Sequence, residues 1–159
     1  MGPVFVAHRD CQVSGLLPAE YQGKNNNQQD FFKYIKNSID IDLRDTPSQD
    51  PTWQNYVTNA LKEGKTDVPV SLASCSPFQK QVLYAVMRIP RGEVRSYSEV
   101  AANIGEHRAA RAVGTALARN PIPLLVPCHR VVPNKGGVGN YAYGSDIKRE
   151  LLAREGVEI

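Results

Sequence analysis

The chain has 159 residues, of which 42% are hydrophobic and 22% charged, a balance typical of a soluble globular protein. The sequence contains no apolar run near the roughly twenty residues that a membrane-spanning helix needs. Its first residues also lack the basic start and apolar core of a secretory signal. The three cysteines have no CxxC spacing, which argues against a disulfide framework. We therefore expect an intracellular protein.

Charge is distributed unevenly along the chain, although the net charge is only +3. Residues 1–69 carry seven Lys or Arg against nine Asp or Glu, whereas residues 70–159 carry twelve against seven. A basic second half indicates either a solvated surface or a surface that meets a polyanion. Charge alone leaves both interpretations open.

The first seventy residues give weak structural signals. Apolar positions at helical spacing predict a short helix over 30–39, and residues 52–65 predict another that ends near Gly64. His8 and Cys11 are spaced like half of a zinc site. A structural zinc needs four ligands, so we predict no metal ligands here.

The pattern becomes clearly helical after a linker or edge strand at 66–74. Ser76 is a candidate N-cap and Pro77 suits the first position of a helix. Apolar residues at helical spacing follow, and Pro90 with Gly92 ends the pattern.

A pair of short helices comes next. Ser96 and Glu99 form a capping box that predicts a helix over 97–103, and Gly105 separates it from a second helix predicted over about 107–119. The second helix is rich in alanine and glycine, and its only large charged side chains are Arg108, Arg111 and Arg119. Two short helices with a glycine turn have the helix-turn-helix form, with an ordinary helical hairpin as the alternative.

The stretch "PLLVPCHRVVPNKGG" places Cys128 between Pro127 and His129. A thiol reacts as its thiolate, and the neighbouring His129 and Arg130 are the kind of groups that lower a thiol pKa. We therefore expect an ionised nucleophile, with a buried structural thiol as the alternative. Adjacent side chains rarely converge, so His129 is expected to act through a bridging water. A cysteine beside a histidine is also compatible with a hydrolase.

Two further segments follow the cysteine. The glycine-rich "NKGGVGNYAYGS" is either a tight hairpin or the wall of a pocket for a flat ligand such as a flipped base. The segment "DIKRELLAREG" predicts a final helix with Ile147, Leu151 and Leu152 on its apolar face. Glu155, at the end of that helix, is either a surface charge or a group that orients a histidine.

These segments together closely resemble the O6-alkylguanine-DNA alkyltransferases. The resemblance depends on "SY", "RAVG", "NP" and "PCHRV" at these spacings, followed by "GGVGNYAYG" and "LLAREG", and it covers about residues 70–159. In the first seventy residues, the small sheet of the family can be traced only in "VFVAHRD" and "SGLLPAEY".

The resemblance implies an α+β fold, with a small N-terminal α/β domain at 1–70. Residues 71–159 would form a mainly helical, winged-helix-like domain for DNA binding and alkyl transfer. The implied activity is direct reversal of DNA damage, in which each molecule reacts once and needs no cofactor. The implied partner is double-stranded DNA, bound in its minor groove by a monomer that can contact further copies along the DNA. The protein would act in the cytoplasm or nucleoid, or in a nucleus.

The resemblance also assigns catalytic roles. Cys128 would take the alkyl group as a thioether, His129 would accept the thiol proton through a water, and Glu155 would polarise His129. Tyr97 would donate a proton or hydrogen bond to the departing guanine. Asn120 would hold the helices and the active-site turn together.

Further residues are implied in binding. Arg111 would enter the base stack, and the other implied DNA-binding residues are Ser96, Ser98, Ala110 and Gly114. The implied guanine-binding residues are Val131, Tyr141, Ala142 and Tyr143. Tyr143 departs from the family pattern, and we expect its ring, at the lip of the pocket, to narrow entry for large O6 adducts.

Two rival functions remain. The alkyltransferase-like proteins bind alkylguanine without repairing it, but they have another residue in place of the cysteine. A cysteine hydrolase is the more distant rival, because the sequence has no local hydrolase signature and such an enzyme does not need a helix-turn-helix.

Overall fold

The computed structural model describes residues 4–9, 12–18, 20–21, 24–25 and 68–159. The helices predicted over 30–39 and 52–65 lie outside these residues, as does Cys11. The chain forms two compact units. The first comprises Met1–Cys75 with Pro121–Leu125, and the second comprises Ser76–Asn120 with Val126–Ile159. The sequence-based boundary after residue 70 stays a prediction.

The described part of the first unit is a set of short strands. β1 (Val4–Arg9) pairs antiparallel with β2 (Gln12–Pro18), and β3 (Glu20–Tyr21) pairs antiparallel with β4 (Lys24–Asn25). The two strands traced in the sequence are therefore confirmed. Val13, fully buried, forms an isolated parallel bridge to Val70, so part of the predicted linker behaves as an edge strand.

The second unit begins with helix α1 (Pro77–Met87), and its start follows from local chemistry. The Ser76 hydroxyl accepts a hydrogen bond from the Gln79 N–H at 3.2 Å, which satisfies one of the free N–H groups of the first turn. Pro77 lacks the N–H that would otherwise need a partner there. The predicted helix is confirmed, and its buried face is formed by Val82, Leu83 and Val86.

The predicted helix-turn-helix is present, with one correction to its second helix. α2 (Tyr97–Asn103) starts with the capping box of Ser96 and Glu99. α3 covers only Ala110–Ala118, because Ala109 precedes it without a side-chain cap and residues 106–109 form a turn. Helix α3 packs against both α1 and α2.

The segment after residue 126 combines a turn with a strand. Cys128–Arg130 forms a single 3-10 turn, and β6 (Val131–Val132) pairs in parallel with β5 (Arg95–Ser96). The last helix, α4 (Ser145–Arg154), contributes Leu152 to a small core with Val132 and Val138. Helices and short strands together confirm the α+β class. Among the described helices, none has the length and apolar character needed to cross a membrane.

Candidate active site

Cys128 is held at the start of the 3-10 turn by a buried amide. The Asn120 Nδ2 donates hydrogen bonds to the Cys128 Sγ at 3.2 Å and to the Val126 carbonyl at 3.0 Å. Asn120 directly follows the last residues of α3, so one side chain connects the end of this helix to the turn that carries the sulfur. The predicted contact of Asn120 with the active-site turn is thus seen.

The electrostatic environment of Cys128 differs from the expected one. Burial raises the pKa of the thiol, and the opposing hydrogen bonds from Asn120 and Tyr141 and the nearby charge of Lys148 do not reverse this rise. The thiol is therefore protonated at rest near neutral pH, and the expectation of an ionised sulfur is wrong. The physical reason is the low polarity around a side chain that is only 7% exposed. A proton must leave as the sulfur reacts.

His129 and Glu155 form the predicted pair. The His129 Nε2 lies 3.0 Å from the Glu155 Oε1. Burial would raise the pKa of Glu155, but hydrogen bonds from His129 and Arg130 and their charges outweigh it and lower that pKa to about 2. An ionised carboxylate only accepts hydrogen bonds, so Nε2 carries the hydrogen and Nδ1 is the proton acceptor of the ring. Nδ1 is buried and has no hydrogen-bond partner in the described part of the chain.

Arg130 completes this arrangement, and the sequence reasoning treated it only as a neighbouring cation. Its guanidinium donates hydrogen bonds to both oxygens of Glu155, at 2.9 and 3.0 Å. Arg130 itself is 5% exposed. The buried position of an arginine next to a histidine gives no signal in a single sequence.

Lys148 is a second residue that the sequence reasoning missed. It lies on α4, is 1% exposed, and its Nζ donates a hydrogen bond to the Val131 carbonyl at 2.6 Å. Burial lowers the pKa of Lys148 to about 8, against the opposing charge of Cys128. One signal was available: Lys148 lies four residues before Leu152, so both share the buried face of a helix.

A cavity of about 760 Å³ opens next to Cys128. It is lined by Tyr97, Ala110, Arg111, Gly114, Thr115, Leu117, Ala118, Cys128, Pro133, Asn134, Gly139, Asn140, Tyr141 and Ala142. The lining therefore brings together residues from α2, from α3, from the 3-10 turn and from the glycine-rich loop. Six of the residues predicted to bind or react lie here besides Cys128: Tyr97, Ala110, Arg111, Gly114, Tyr141 and Ala142.

Tyr97 starts α2 and forms part of the cavity wall. Burial, followed by the charge of Cys128, raises the pKa of its phenol. The hydroxyl therefore stays protonated at neutral pH and can donate a hydrogen bond into the cavity. The Lys148 Nζ, on α4, lies 5.9 Å from the centroid of the Tyr97 ring.

Other predicted residues lie outside the cavity lining. Tyr143 is 7% exposed, and the centroid of its ring lies 5.5 Å from that of Tyr141. The prediction that Tyr143 lies at the lip of the pocket is therefore corrected: the ring is buried beside Tyr141 and outside the cavity lining. The Val131 carbonyl already accepts the Lys148 hydrogen bond, although a carbonyl can accept two. The Ser96 hydroxyl caps α2, and Ser98 is half-buried.

Glycine is required at one point of the cavity wall. Gly139 has a φ of +69°, and a Cβ there would lie 2.7 Å from the Pro133 Cγ. Any side chain would therefore push the loop away from Pro133. The pocket interpretation is favoured over that of a simple hairpin because Gly139, Asn140, Tyr141 and Ala142 line the cavity.

Comparisons with known proteins agree with this geometry. A family model described as the DNA binding domain of 6-O-methylguanine DNA methyltransferase matches residues 77–157. The constitutive methylated-DNA–protein-cysteine methyltransferase of Bacillus subtilis is 36% identical over 154 residues, covering 96% of this chain and 88% of that protein. The methylated-DNA–protein-cysteine methyltransferase of Methanosarcina acetivorans is 54% identical over 79 residues, covering 50% of this chain. That match spans about half of the relative's length, 51%.

Solved structures extend the likeness to the whole chain. A crystal structure of Mycobacterium tuberculosis OGT in complex with DNA has a TM-score of 0.68 and 32% sequence identity. It covers 97% of this chain and 86% of the other. The family model and the Bacillus relative together show that the chain belongs to the methylated-DNA–protein-cysteine methyltransferase family.

Proposed function

We propose that the chain repairs O6-alkylguanine in DNA by moving the alkyl group to its own Cys128. The observation that supports this proposal most strongly is the position of the Cys128 thiol, which borders a cavity on one side and contacts the Asn120 amide on the other. A thioether has no evident route of hydrolysis, so each molecule reacts once. The chemistry needs no cofactor, because nucleophile, base and proton donor are side chains of this chain.

The transfer is a displacement at the alkyl carbon. The Cys128 Sγ attacks that carbon, the bond from the carbon to guanine O6 breaks, and its electron pair goes to the guanine. The thiol proton moves through a water to the Nδ1 of His129. Glu155 stabilises the resulting imidazolium through Nε2, to which it lies 3.0 Å away. Burial of the thiol makes this base necessary, because the sulfur is not ionised beforehand.

The guanine that leaves carries the electron pair and needs a proton. Tyr97 supports this step, because its hydroxyl is protonated at neutral pH and lies in the cavity wall. Its proton would neutralise the departing ring and leave a phenolate on Tyr97. The proton held by His129 would then return through solvent to that phenolate, which restores both side chains. The net reaction exchanges the thiol hydrogen for the alkyl group, and atoms and charges balance.

DNA is the proposed partner, and helix α3 is the proposed contact. Arg111 is exposed, and it lines the cavity together with the small residues Ala110 and Gly114. Such a surface can approach the minor groove closely, and a flipped guanine would enter the cavity while Arg111 fills the vacated space. The positive charge of the second half would add contacts to phosphates. A monomeric state, contacts between copies along DNA, and a location in nucleoid or nucleus stay predictions.

The test uses duplex DNA that carries one O6-methylguanine with a labelled methyl group. Incubation with the full chain should move one label to each protein molecule, on the peptide that contains Cys128, and then stop. The matched control is Cys128→Ser, which should bind the duplex but take no label. Binding without labelling of the wild-type chain would instead indicate a damage sensor, and repeated turnover would indicate a hydrolase.

A further inference from the structure

Arg130 is a buried cation with contacts at the active site and at the connection that follows α1. Its side chain is 6% exposed, and its Nε and Nη2 each donate a hydrogen bond to one oxygen of Glu155. Its Nη1 donates to the Ile89 carbonyl at 2.6 Å. A buried guanidinium is costly to desolvate, and this forked contact to a carboxylate offsets that cost.

The Glu155 carboxylate is therefore shared. Its Oε1 accepts from both His129 Nε2 and Arg130 Nη2, each at 3.0 Å. Its Oε2 accepts from Arg130 Nε at 2.9 Å and lies 3.4 Å from the backbone nitrogen of Gly92. Ile89 and Gly92 belong to the connection after α1, so Arg130 and Glu155 join this connection, the 3-10 turn and the end of α4.

We infer that Arg130 is a positioning residue, which holds the Glu155 carboxylate against His129 and shares the negative charge of that carboxylate with the imidazole ring. The inference rests on the proposed function, because it concerns how the base is kept ready. Without the arginine, the full negative charge of the carboxylate would act on His129 alone. A carboxylate that no cation neutralises stabilises the protonated form of a neighbouring base more strongly, so the transfer would then need a higher pH.

The other ionisable groups near this pair support a specific role for Arg130. Cys128 precedes His129, and Lys148 and Tyr97 interact electrostatically with Cys128. Glu155 is the carboxylate that contacts His129 in the described part of the chain, and Arg130 is the cation that contacts Glu155. Within residues 68–159, no other Lys or Arg side chain contacts this carboxylate, so removing the charge of Arg130 changes the electrostatic balance at His129.

The experiment measures alkylation of Cys128 by free O6-benzylguanine between pH 5 and 9, which leaves DNA binding out. In Arg130→Gln, the pH at which the rate is half its plateau should rise by about one unit or more, and the rate near pH 7 should fall roughly tenfold. Arg130→Lys keeps the charge, so its midpoint should stay near that of the wild type. A rate lowered equally at every pH, with an unchanged midpoint, would overturn the inference.

A double variant shows whether Arg130 acts through Glu155 or whether its replacement disturbs the site in another way. In Glu155→Gln the shared carboxylate is already lost, so adding Arg130→Gln should not raise the midpoint again by the amount seen in Arg130→Gln alone, and two additive increases would contradict the inference. Thermal unfolding checks that each variant is folded. Nitrogen NMR of the wild-type chain needs no variant: the neutral form of the His129 ring should carry its hydrogen on Nε2, which faces Glu155, and hydrogen on Nδ1 would overturn the inference. Failure of the wild-type chain to take the benzyl group would count against the proposed function instead.

Discussion

The two sides of Cys128 are built differently. One side is the buried network, formed by Asn120, His129, Arg130, Lys148 and Glu155, whose side chains make the hydrogen bonds described above. The other side is the cavity wall, formed by the lining residues of α3 and of 133–142. The network residues are nearly inaccessible, with His129 3% and Lys148 1% exposed, whereas Arg111 and Thr115 of the wall are exposed. We expect from this difference that the network carries the chemistry, with Tyr97 as the one wall residue proposed to take part in it, and that α3 serves recognition of DNA.

This separation gives a general criterion. A change in the buried network should alter the rate with any substrate, including free O6-benzylguanine. A change in the cavity wall that faces DNA should alter the reaction with duplex DNA and spare the small substrate. A network variant that affects only duplex DNA, or a variant of the DNA-facing wall that affects free O6-benzylguanine, would contradict this criterion.

The largest effect is expected for Cys128→Ser. A serine hydroxyl is a far weaker nucleophile at neutral pH, so transfer from both duplex and free base should disappear. Mass spectrometry of the protein after incubation measures the transfer. Binding of duplex DNA should persist, and a parallel loss of binding would mean that the two sides are not separate.

Glu155→Gln should slow transfer on the order of a hundredfold, equally for free base and duplex. The amide cannot stabilise the imidazolium that forms when His129 takes the thiol proton. Single-turnover kinetics with both substrates measure the two rates. An effect confined to duplex DNA would place Glu155 in recognition instead of in chemistry.

The same carboxylate should make the protein sensitive to acid. Its pKa in the folded chain is lowered to about 2 from the ordinary value of 4.5. The stability that this carboxylate contributes is therefore full above the unfolded pKa and is lost as pH falls through the folded pKa. The loss amounts to about 3 kcal/mol at most, because each unit corresponds to about 1.4 kcal/mol. Denaturant unfolding from pH 6 to pH 2 should therefore show a smaller decline in Glu155→Gln than in the wild type.

Arg111→Ala should weaken binding of lesion-containing duplex by roughly tenfold, since an inserted side chain offsets part of the unstacking energy. The rate with free O6-benzylguanine should be unchanged. Titration of labelled duplex measures the affinity. Arg88→Ala, at the end of α1 and outside the cavity lining, is the matched control and should bind like the wild type.

Gly114→Ala should give the smallest effect: it should raise the stability of the fold and weaken the binding of duplex DNA. A Cβ there would lie 3.7 Å from the Tyr97 Cε1, an ordinary contact, and alanine stabilises a helix interior by roughly 0.5–1 kcal/mol over glycine. The melting temperature should rise while affinity for duplex falls a few-fold. Unchanged affinity would show that α3 does not need its small surface.

The features that could be predicted from the sequence are those with local causes. Ser76 with Pro77, and Ser96 with Glu99, specify helix starts within a few residues, and both starts are confirmed. The start of α3 was placed three residues early, because the alanine-rich pattern continues through the turn at 106–109 and no capping residue marks the true beginning. A helix without a capping side chain therefore has a start that the sequence does not specify.

The active site shows the complementary limit. Motifs identified Cys128, His129 and Glu155, but the protonated state of the thiol depends on burial, which is a property of the folded chain. The pairing of Arg130 with Glu155 joins residues 25 positions apart, and the contact of Lys148 with Val131 spans 17. No local pattern encodes such contacts. Resemblance finds the residues, and the fold sets their charge states.

The buried position of Cys128 also bears on how long an unreacted molecule survives. Oxidants convert thiolates to sulfenic acid far faster than they attack protonated thiols. A sulfur kept as a thiol, with 7% exposure, reacts more slowly with peroxide than a thiolate would. Under the proposed single-use reaction, this slower oxidation would limit inactivation of Cys128 before the protein meets a lesion.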